Sequence, residues 1–142
     1  MTSEYTEIRT LQGKTPLAIR YNDDAIVFKL NDHEYFAFYH EQDCCESVTV
    51  EDVVGDFQDL VGNPLEIIEE RTESGDNDDY DCYTWTYYTF RGIGGTVDVR
   101  WYGASNGYYS ESVDYGMYTK GVYDYYRERE YVVKELFSED FE

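Results

Sequence analysis

Apolar and polar side chains alternate along much of this chain, and a repeat of two residues is typical of half-buried β-strands. Residues 25–30 and 35–39 are apolar runs separated by a turn that begins with Asn-Asp, which predicts a β-hairpin. Strict alternation over residues 47–51 predicts another strand, with both valines on one face. The first third of the chain is therefore predicted to consist of short antiparallel strands.

A second hairpin is predicted further along the chain. Residues 84–90 and 96–102 both alternate, and the sequence RGIGG between them favours a tight turn. The glycine-rich segment 103–107 predicts a corner, and we expect the next strand at residues 109–113. Before the hairpin, the polar run 73–81 predicts a charged loop.

Helical signals occur in two places. Residues 56–61, which precede a glycine, predict one short helical turn. Residues 122–137 carry apolar side chains at helical spacing, which predicts an amphipathic carboxyl-terminal helix. The predicted fold class is α+β: mainly antiparallel β-sheet, built of hairpins or a meander, with these two helical segments. At this length, residues 1–142 are expected to form a single compact acidic domain.

The charge of the chain limits its partners. The formal net charge is −20, and 14 of these charges fall between Glu41 and Asp81, where fifteen acidic residues stand beside one arginine. Such a field repels nucleic acid phosphates and attracts basic protein surfaces. The chain is 42% hydrophobic and 18% aromatic, which argues against disorder. We therefore expect a folded protein that does not bind nucleic acid directly.

Part of this acidic segment is the candidate partner-binding face. We expect its carboxylates to pair with a basic protein surface that otherwise binds nucleic acid. The alternative is that the acidity serves only solubility or adaptation to high salt. The candidate residues are Glu51, Asp52, Asp56, Asp59, Glu69, Glu70, Asp76, Asp78 and Asp79.

The sequence also bears on the cellular compartment. No apolar run is long enough for a transmembrane helix, and the amino terminus lacks the basic and apolar regions of a signal peptide. Three cysteines are an odd number, and the neighbours Cys44 and Cys45 are not expected to bridge each other. A reducing compartment, the cytoplasm, is the expected location, without membrane contact.

The densest group of reactive side chains is HEQDCCE, residues 40–46. These residue types could bind a metal or supply a cysteine nucleophile, but no CxxC or HxxxH spacing occurs, and the nearby acids would raise a cysteine pKa. We expect a tight turn with buried thiols. The acidic run 76–81 lacks the glycine and closing glutamate of a calcium loop, and the glycines at 92–95 lack the lysine of a phosphate loop. No catalytic residue, metal or cofactor is therefore predicted.

A second candidate site is the corner that follows the second hairpin. Its arginine, aromatic rings, hydroxyls and carboxylate would suit a small ligand. The alternative, which the glycines favour, is a purely structural corner. The candidate ligand-binding residues are Arg100, Trp101, Ser105, Asn106, Tyr108, Tyr109 and Glu111.

Three stretches together carry a family resemblance: HEQDCCESV at 40–48, TWTY at 84–87 and RWYGASNGYYSE at 100–111. They resemble an uncharacterised family of small proteins encoded mainly by bacteriophages and prophages. The resemblance covers about residues 24–114 and leaves the carboxyl-terminal helix outside. It implies a phage context, in which the expected partner is a basic host protein surface that binds nucleic acid or serves in defence and the expected location is the host cell cytoplasm. It implies no established activity.

Two functional hypotheses follow from the charge and the resemblance. The first is a non-enzymatic, phage-encoded binding protein, acting as an acidic, DNA-mimic-like inhibitor of a host defence protein. The alternative is a protein that sequesters a small molecule or nucleotide at the Arg100–Glu111 corner, although a chain with 11 basic and 31 acidic residues is poorly suited to phosphate. A homodimer is compatible with either hypothesis.

Overall fold

A computed structural model describes residues 7–76 and 81–142. In these residues the chain forms eight strands, one α-helix and three short 3₁₀ helices. The strands are β1 (Ala18–Tyr21), β2 (Ile26–Lys29), β3 (Glu34–Tyr39), β4 (Ser47–Val54), β5 (Leu65–Asp76), β6 (Cys82–Gly92), β7 (Gly95–Ser105) and β8 (Asp114–Thr119). The helices are α1 (Arg127–Leu136) and the 3₁₀ turns Ile8–Thr10, Phe57–Leu60 and Ser138–Phe141.

The strands form two antiparallel sheets of four strands each. The first sheet has the order β1-β2-β3-β8, and the second has the order β4-β7-β6-β5. The two sheets pack face to face, and α1 packs on the other face of the first sheet. The α+β class with mainly antiparallel strands is thus confirmed, as are both predicted hairpins.

The main core lies between the two sheets and is rich in aromatic rings. Phe28 and Phe38 of the first sheet meet Phe90 and Tyr88 of the second, with ring centroids 5.1 Å apart for Phe28–Phe90 and 4.9 Å for Phe38–Tyr88. Such pairs stabilise a core by about 0.5–1.5 kcal/mol beyond the apolar area that they bury. Trp101 of β7 is fully buried in the same cluster.

A second core lies between the first sheet and α1. It contains Tyr35 and Tyr39 of β3 and Val132 and Val133 of α1. Because both faces of the first sheet are covered, β2 and β3 are almost continuously apolar rather than alternating. The packing of α1 on the first sheet therefore explains both the apolar runs of β2 and β3 and the amphipathic pattern of the helix.

Three predicted segments differ from the structure. The strand expected at 109–113 is wrong, because β8 begins only at Asp114. Side chains of the preceding segment hold turns instead: the Gly107 N–H donates to Ser105 Oγ (3.0 Å) and the Tyr108 N–H donates to Asn106 Oδ1 (3.0 Å). Local bonds of this kind compete with strand pairing.

The loop expected at 73–81 is wrong in its first part. Strand β5 continues to Asp76, which pairs with Cys82, because the backbone ladder to β6 outweighs the low strand propensity of this polar run. The rest of that predicted loop, residues 77–80, lies outside the described residues.

The predicted helical segments are present but shorter. Helix α1 begins at Arg127 rather than near 122, because Asp124 Oδ1 accepts the Tyr126 N–H (2.9 Å) and holds a turn ahead of the helix. The turn expected at 56–61 is the 3₁₀ helix Phe57–Leu60, capped by Asp56. No helix in the described part of the chain is long and apolar enough to cross a membrane.

Candidate protein-binding surface

The second sheet has one face in the core and one face towards solvent. Alternation along β7 places Val99 and Trp101 in the core, so Arg100 and Tyr102 point away from it. The same alternation on β6 turns Trp85 outward. Among the described residues, only the inner face of this sheet contributes to the two apolar cores. We call the other side the outer face.

Aromatic rings occupy the middle of the outer face, and two arginines lie against them. The Trp85 and Tyr102 ring centroids lie 4.6 Å apart. The Arg100 guanidinium carbon lies 4.9 Å from the Trp85 centroid, and that of Arg71 lies 4.4 Å from the Tyr87 centroid. Together with Tyr83, which stacks on Tyr102, these side chains form the aromatic strip: Arg71, Tyr83, Trp85, Tyr87, Arg100 and Tyr102. Aromatic residues and arginine are enriched at the centres of protein interfaces.

Acidic side chains flank the aromatic strip on both sides. Asp52 lies on the edge strand β4, with Oδ2 3.7 Å from Arg100 Nη2. Glu69 and Glu73 lie on β5, the opposite edge strand, on either side of Arg71, and pair with outward residues of β6. Three strand spacings separate the two edges, or about 14 Å. Acids that are close in sequence are therefore divided between two borders of one surface.

The remaining predicted acids lie elsewhere. Glu51 lies at the bulge of β4, and Asp56 and Asp59 belong to the turn around the 3₁₀ helix Phe57–Leu60. Glu70 and Asp76 point to the inner side of β5. Asp78 and Asp79 lie outside the described residues. The predicted partner-binding residues thus form no single patch within the described part of the chain.

The predicted ligand corner does not converge on one point. Arg100 faces outward, whereas the Trp101 ring is fully buried and cannot stack on a ligand that arrives from solvent. Ser105 Oγ donates to Glu111, which also accepts from Thr84 Oγ1 (2.8 Å). The polar groups of the corner therefore bind one another.

The outermost residues of this corner do not converge on one point either. Asn106 accepts the Tyr108 N–H, and the Tyr108 ring is 88% exposed. Tyr109 is part of the same segment outside the strands. At Gly103, a Cβ would lie 2.5 Å from the Glu111 carbonyl oxygen, so the corner requires glycine there.

The loop 40–46 is fixed by a buried hydrogen bond between His40 and Glu46 that the sequence did not reveal. His40 Nε2 lies 2.8 Å from Glu46 Oε2, and His40 Nδ1 lies 2.8 Å from the Ser112 carbonyl oxygen. Glu46 also accepts the N–H groups of Asp43 and Cys44.

The cysteines of this loop differ from the prediction. Cys44 and Cys45 are joined by a disulfide and are exposed, so the expectation of unbridged, buried thiols is wrong. The turn around Glu46 points its carboxylate inward and leaves the two cysteines at the surface. Within the described residues, no three His, Cys, Asp or Glu side chains are grouped closely enough to hold a metal ion.

Comparison with known proteins relates the chain to a protein family. Residues 9–115 match a family model described as a domain of unknown function, DUF7448. The chain belongs to this family. No curated protein and no solved structure matches it.

The DUF7448 match covers the whole second sheet and strands β1 to β3 of the first. It therefore includes the aromatic strip, both acidic borders and the 40–46 loop. It ends at Tyr115, near the start of β8, so helix α1 lies beyond the matched residues. The surface that we consider for binding therefore lies within the matched residues.

The hydrogen bonds to Glu46 lower the pKa of its carboxyl group. Burial opposes the charge of Glu46, but hydrogen bonds from the Cys44 N–H, the His40 ring and the Asp43 N–H outweigh it and lower the carboxyl pKa to about 2 from its ordinary 4.5. The carboxylate consequently stays charged in the folded protein at acidities where it would be neutral in the unfolded chain.

We expect Glu46→Gln to reduce the pH dependence of stability. Because the folded-state pKa lies below the unfolded value, the stabilisation from Glu46 is present above about pH 4.5 and is lost as pH falls towards about pH 2. The variant should be less stable at neutral pH, and its free energy of unfolding should vary less across this range. Urea unfolding at several pH values measures this, with exposed Glu51→Gln as control. Identical pH dependence in wild type and Glu46→Gln would contradict the assignment.

Proposed function

We propose that this protein is a non-enzymatic binding protein that blocks a basic, nucleic-acid-binding surface of another protein. The observation that carries the proposal is the outer face: an aromatic strip bordered on both sides by acids and turned to solvent. Charged groups at the rim steer association, and aromatic and arginine side chains at the centre provide most of the affinity.

The two acidic borders favour a surface that normally contacts DNA. Their separation of about 14 Å is comparable with the width of about 12 Å of the DNA major groove, which phosphates border on both sides. A partner with two rows of Lys or Arg side chains for these phosphates would meet carboxylates at a similar spacing. The net charge of −20 adds long-range attraction to such a partner.

The proposal also includes a biological setting. The resemblance of residues 40–48, 84–87 and 100–111 to phage-encoded proteins supports a phage protein that acts in the host cytoplasm. A host defence protein that binds nucleic acid is then the proposed target. The sequestering alternative has less support, because the residues of the Arg100–Glu111 corner bind one another.

A salt-resolved pull-down tests the proposal. Immobilised protein in host lysate at low salt should retain a basic, nucleic-acid-binding protein that elutes as the salt concentration rises. The double variant Asp52→Asn/Glu69→Gln, with one acid removed at each border, should weaken binding by about fivefold to tenfold.

The matched control removes the same charge away from the outer face. Asp32→Asn/Glu142→Gln changes two exposed acids outside the second sheet and should leave the affinity within about twofold. Recovery of no basic partner at low salt would contradict the proposed function. Equal weakening by both double variants would show that only net charge matters and would contradict the outer face as the site.

A further inference from the structure

Strand β5 forms a long free edge of the second sheet. It has 12 residues and pairs with β6 on one side. Its other side is covered at the start, where the Leu65 N–H donates to the Lys14 carbonyl (2.9 Å) and the Leu65 carbonyl accepts the Gly13 N–H (2.8 Å). The Glu66 carbonyl accepts from the Gln12 side chain. Beyond Glu66, no backbone–backbone hydrogen bond joins this side of β5 to another segment that the structure describes.

The strand register shows which backbone groups of β5 point to this free edge. The β6–β7 hairpin closes at Gly92 and Gly95 around a two-residue turn, and the residues that close such a turn bond to each other. Every second residue of β6 from Tyr83 to Arg91 therefore bonds to β5. Leu65, opposite Gly92, fits this pattern, because its backbone groups bond away from β6. The other residues of β5 whose N–H and C=O groups point away from β6 are Ile68, Glu70, Thr72 and Ser74.

The opposite edge of the same sheet is protected in a way that this part of β5 is not. Strand β4 has a bulge between Val50 and Asp52, and the Val50 N–H donates to the Asp23 carbonyl (2.7 Å). The edge strand β1 of the first sheet has only 4 residues. Bulges and short strands prevent edge pairing, whereas a free row of N–H and C=O groups is a template for another strand. Strand β5 is regular from Ile67 to Asp76 and is such a template.

The charge of β5 selects the kind of segment that fits this edge. Acids lie on both faces of the strand, with Glu69 on the outer face and Glu70 on the inner side, and Arg71 is its one basic residue. Opposite charges on opposed residues stabilise a strand pair, and like charges destabilise it. Pairing with a second copy of β5 would bring acids together and is disfavoured. An extended segment with lysine or arginine on either face would meet carboxylates.

We propose that the free edge of β5 accepts an extended, basic segment of another protein as an additional strand. Backbone hydrogen bonds along the edge would align the segment, and the acids would select its lysine and arginine side chains. The contacts are made by backbone groups and not by the aromatic strip. The inference therefore does not rest on the proposed function of the outer face.

Titration with a fluorescently labelled peptide of about eight residues, alternating lysine and threonine, tests the edge. Binding to the wild type should be saturable in fluorescence anisotropy. Thr72→Pro removes an N–H that points to the free edge, where proline is tolerated, and should weaken binding by about tenfold. The control Thr72→Ala keeps this N–H and should change the affinity by less than about twofold. Equal affinities of the two variants, or no saturable binding by the wild type, would overturn the proposal.

A change in the peptide separates strand pairing from attraction by charge. The same peptide, N-methylated at two consecutive central residues, keeps its charge but loses a donor on each of its edges. Its binding to the wild type should be weaker by more than about tenfold. This comparison does not require Thr72→Pro to fold. Equal binding of the two peptides would show attraction by charge alone and would overturn the additional strand.

Amide hydrogen exchange locates the bound peptide on the strand. In the free protein, the N–H groups of Glu69, Arg71 and Glu73 should exchange slowly because they bond to β6, whereas those of Glu70 and Thr72 should exchange quickly. The peptide should slow exchange at Glu70 and Thr72. Unchanged exchange at these two positions with saturating peptide would overturn the edge as the site. Slow exchange at all five positions in the free protein would show that the edge is already covered and would also overturn it.

Discussion

Replacement of Trp101 by alanine should mainly reduce stability, whereas replacement of Trp85 by alanine should mainly reduce partner binding. Trp101→Ala is expected to reduce the free energy of unfolding by about 3–5 kcal/mol, because it empties a large, fully buried site in the core between the sheets. Trp85→Ala removes a ring from the outer face and should cost less than about 1 kcal/mol. Urea unfolding followed by circular dichroism measures both changes.

Trp85→Ala should instead weaken the proposed partner's binding by more than about tenfold, as expected for an aromatic residue at the centre of an interface. Fluorescence provides a control that needs no partner. In Trp85→Phe, the remaining Trp101 should be shielded from acrylamide, whereas in Trp101→Phe the remaining Trp85 should be quenched. Comparable quenching in both variants, or a stable Trp101→Ala protein, would contradict the packing of the second sheet.

The sequence pattern alone largely predicts on which face of the sheet these tryptophans lie. Alternation over residues 96–102 already places Trp101 on the side opposite Arg100, so the two cannot contribute to one pocket. The corner hypothesis grouped residues by closeness in sequence and overlooked that successive strand residues face opposite sides. The burial of Trp101 corrects that grouping.

The sequence did not reveal that the acidic residues are divided between opposite edges of the second sheet. Residues 41–81 contain β4 and β5, which follow each other in the chain but form opposite edges of the second sheet. The order arises because the β6–β7 hairpin inserts between them, and no local pattern encodes that long-range pairing. Pattern analysis correctly predicted the hairpin itself, whose register and short turn are local properties.

Local sequence patterns also do not predict the contacts of buried side chains whose partners are distant in the chain. The His40–Glu46 pair needs the Ser112 carbonyl, which is 72 residues from His40 in the chain. The chemistry of this pair depends on which segment covers the position, and a single sequence does not specify this.

Helix α1 is attached to the first sheet by a buried arginine. Arg129 is 5% exposed, and its Nη1 lies 3.5 Å from Asp124 Oδ1 and donates to the Met117 carbonyl oxygen at 3.2 Å. Its guanidinium carbon lies 4.6 Å from the Tyr126 centroid, and Gly116 leaves the space that it occupies. This single side chain therefore contacts the turn before the helix and strand β8.

Arg129→Met should be among the most destabilising single substitutions outside the main core. It keeps most of the apolar stem but leaves the Asp124 carboxylate, 9% exposed, without its cation. Breaking a buried ion pair in this way costs about 3–5 kcal/mol, since the remaining charge is desolvated and unpaired. Urea unfolding measures the loss.

A double-mutant cycle isolates the ion pair from the packing of the arginine. Asp124→Asn keeps an oxygen for the Tyr126 N–H but removes the charge, so Arg129→Met/Asp124→Asn should regain more than about half of the stability lost in Arg129→Met. The two single losses would then sum to more than the loss in the double variant, because each single variant leaves one charge buried alone. Strict additivity would mean that Arg129 stabilises the helix only through its contacts with Tyr126 and Met117, with the carboxylate already compensated by its backbone hydrogen bond.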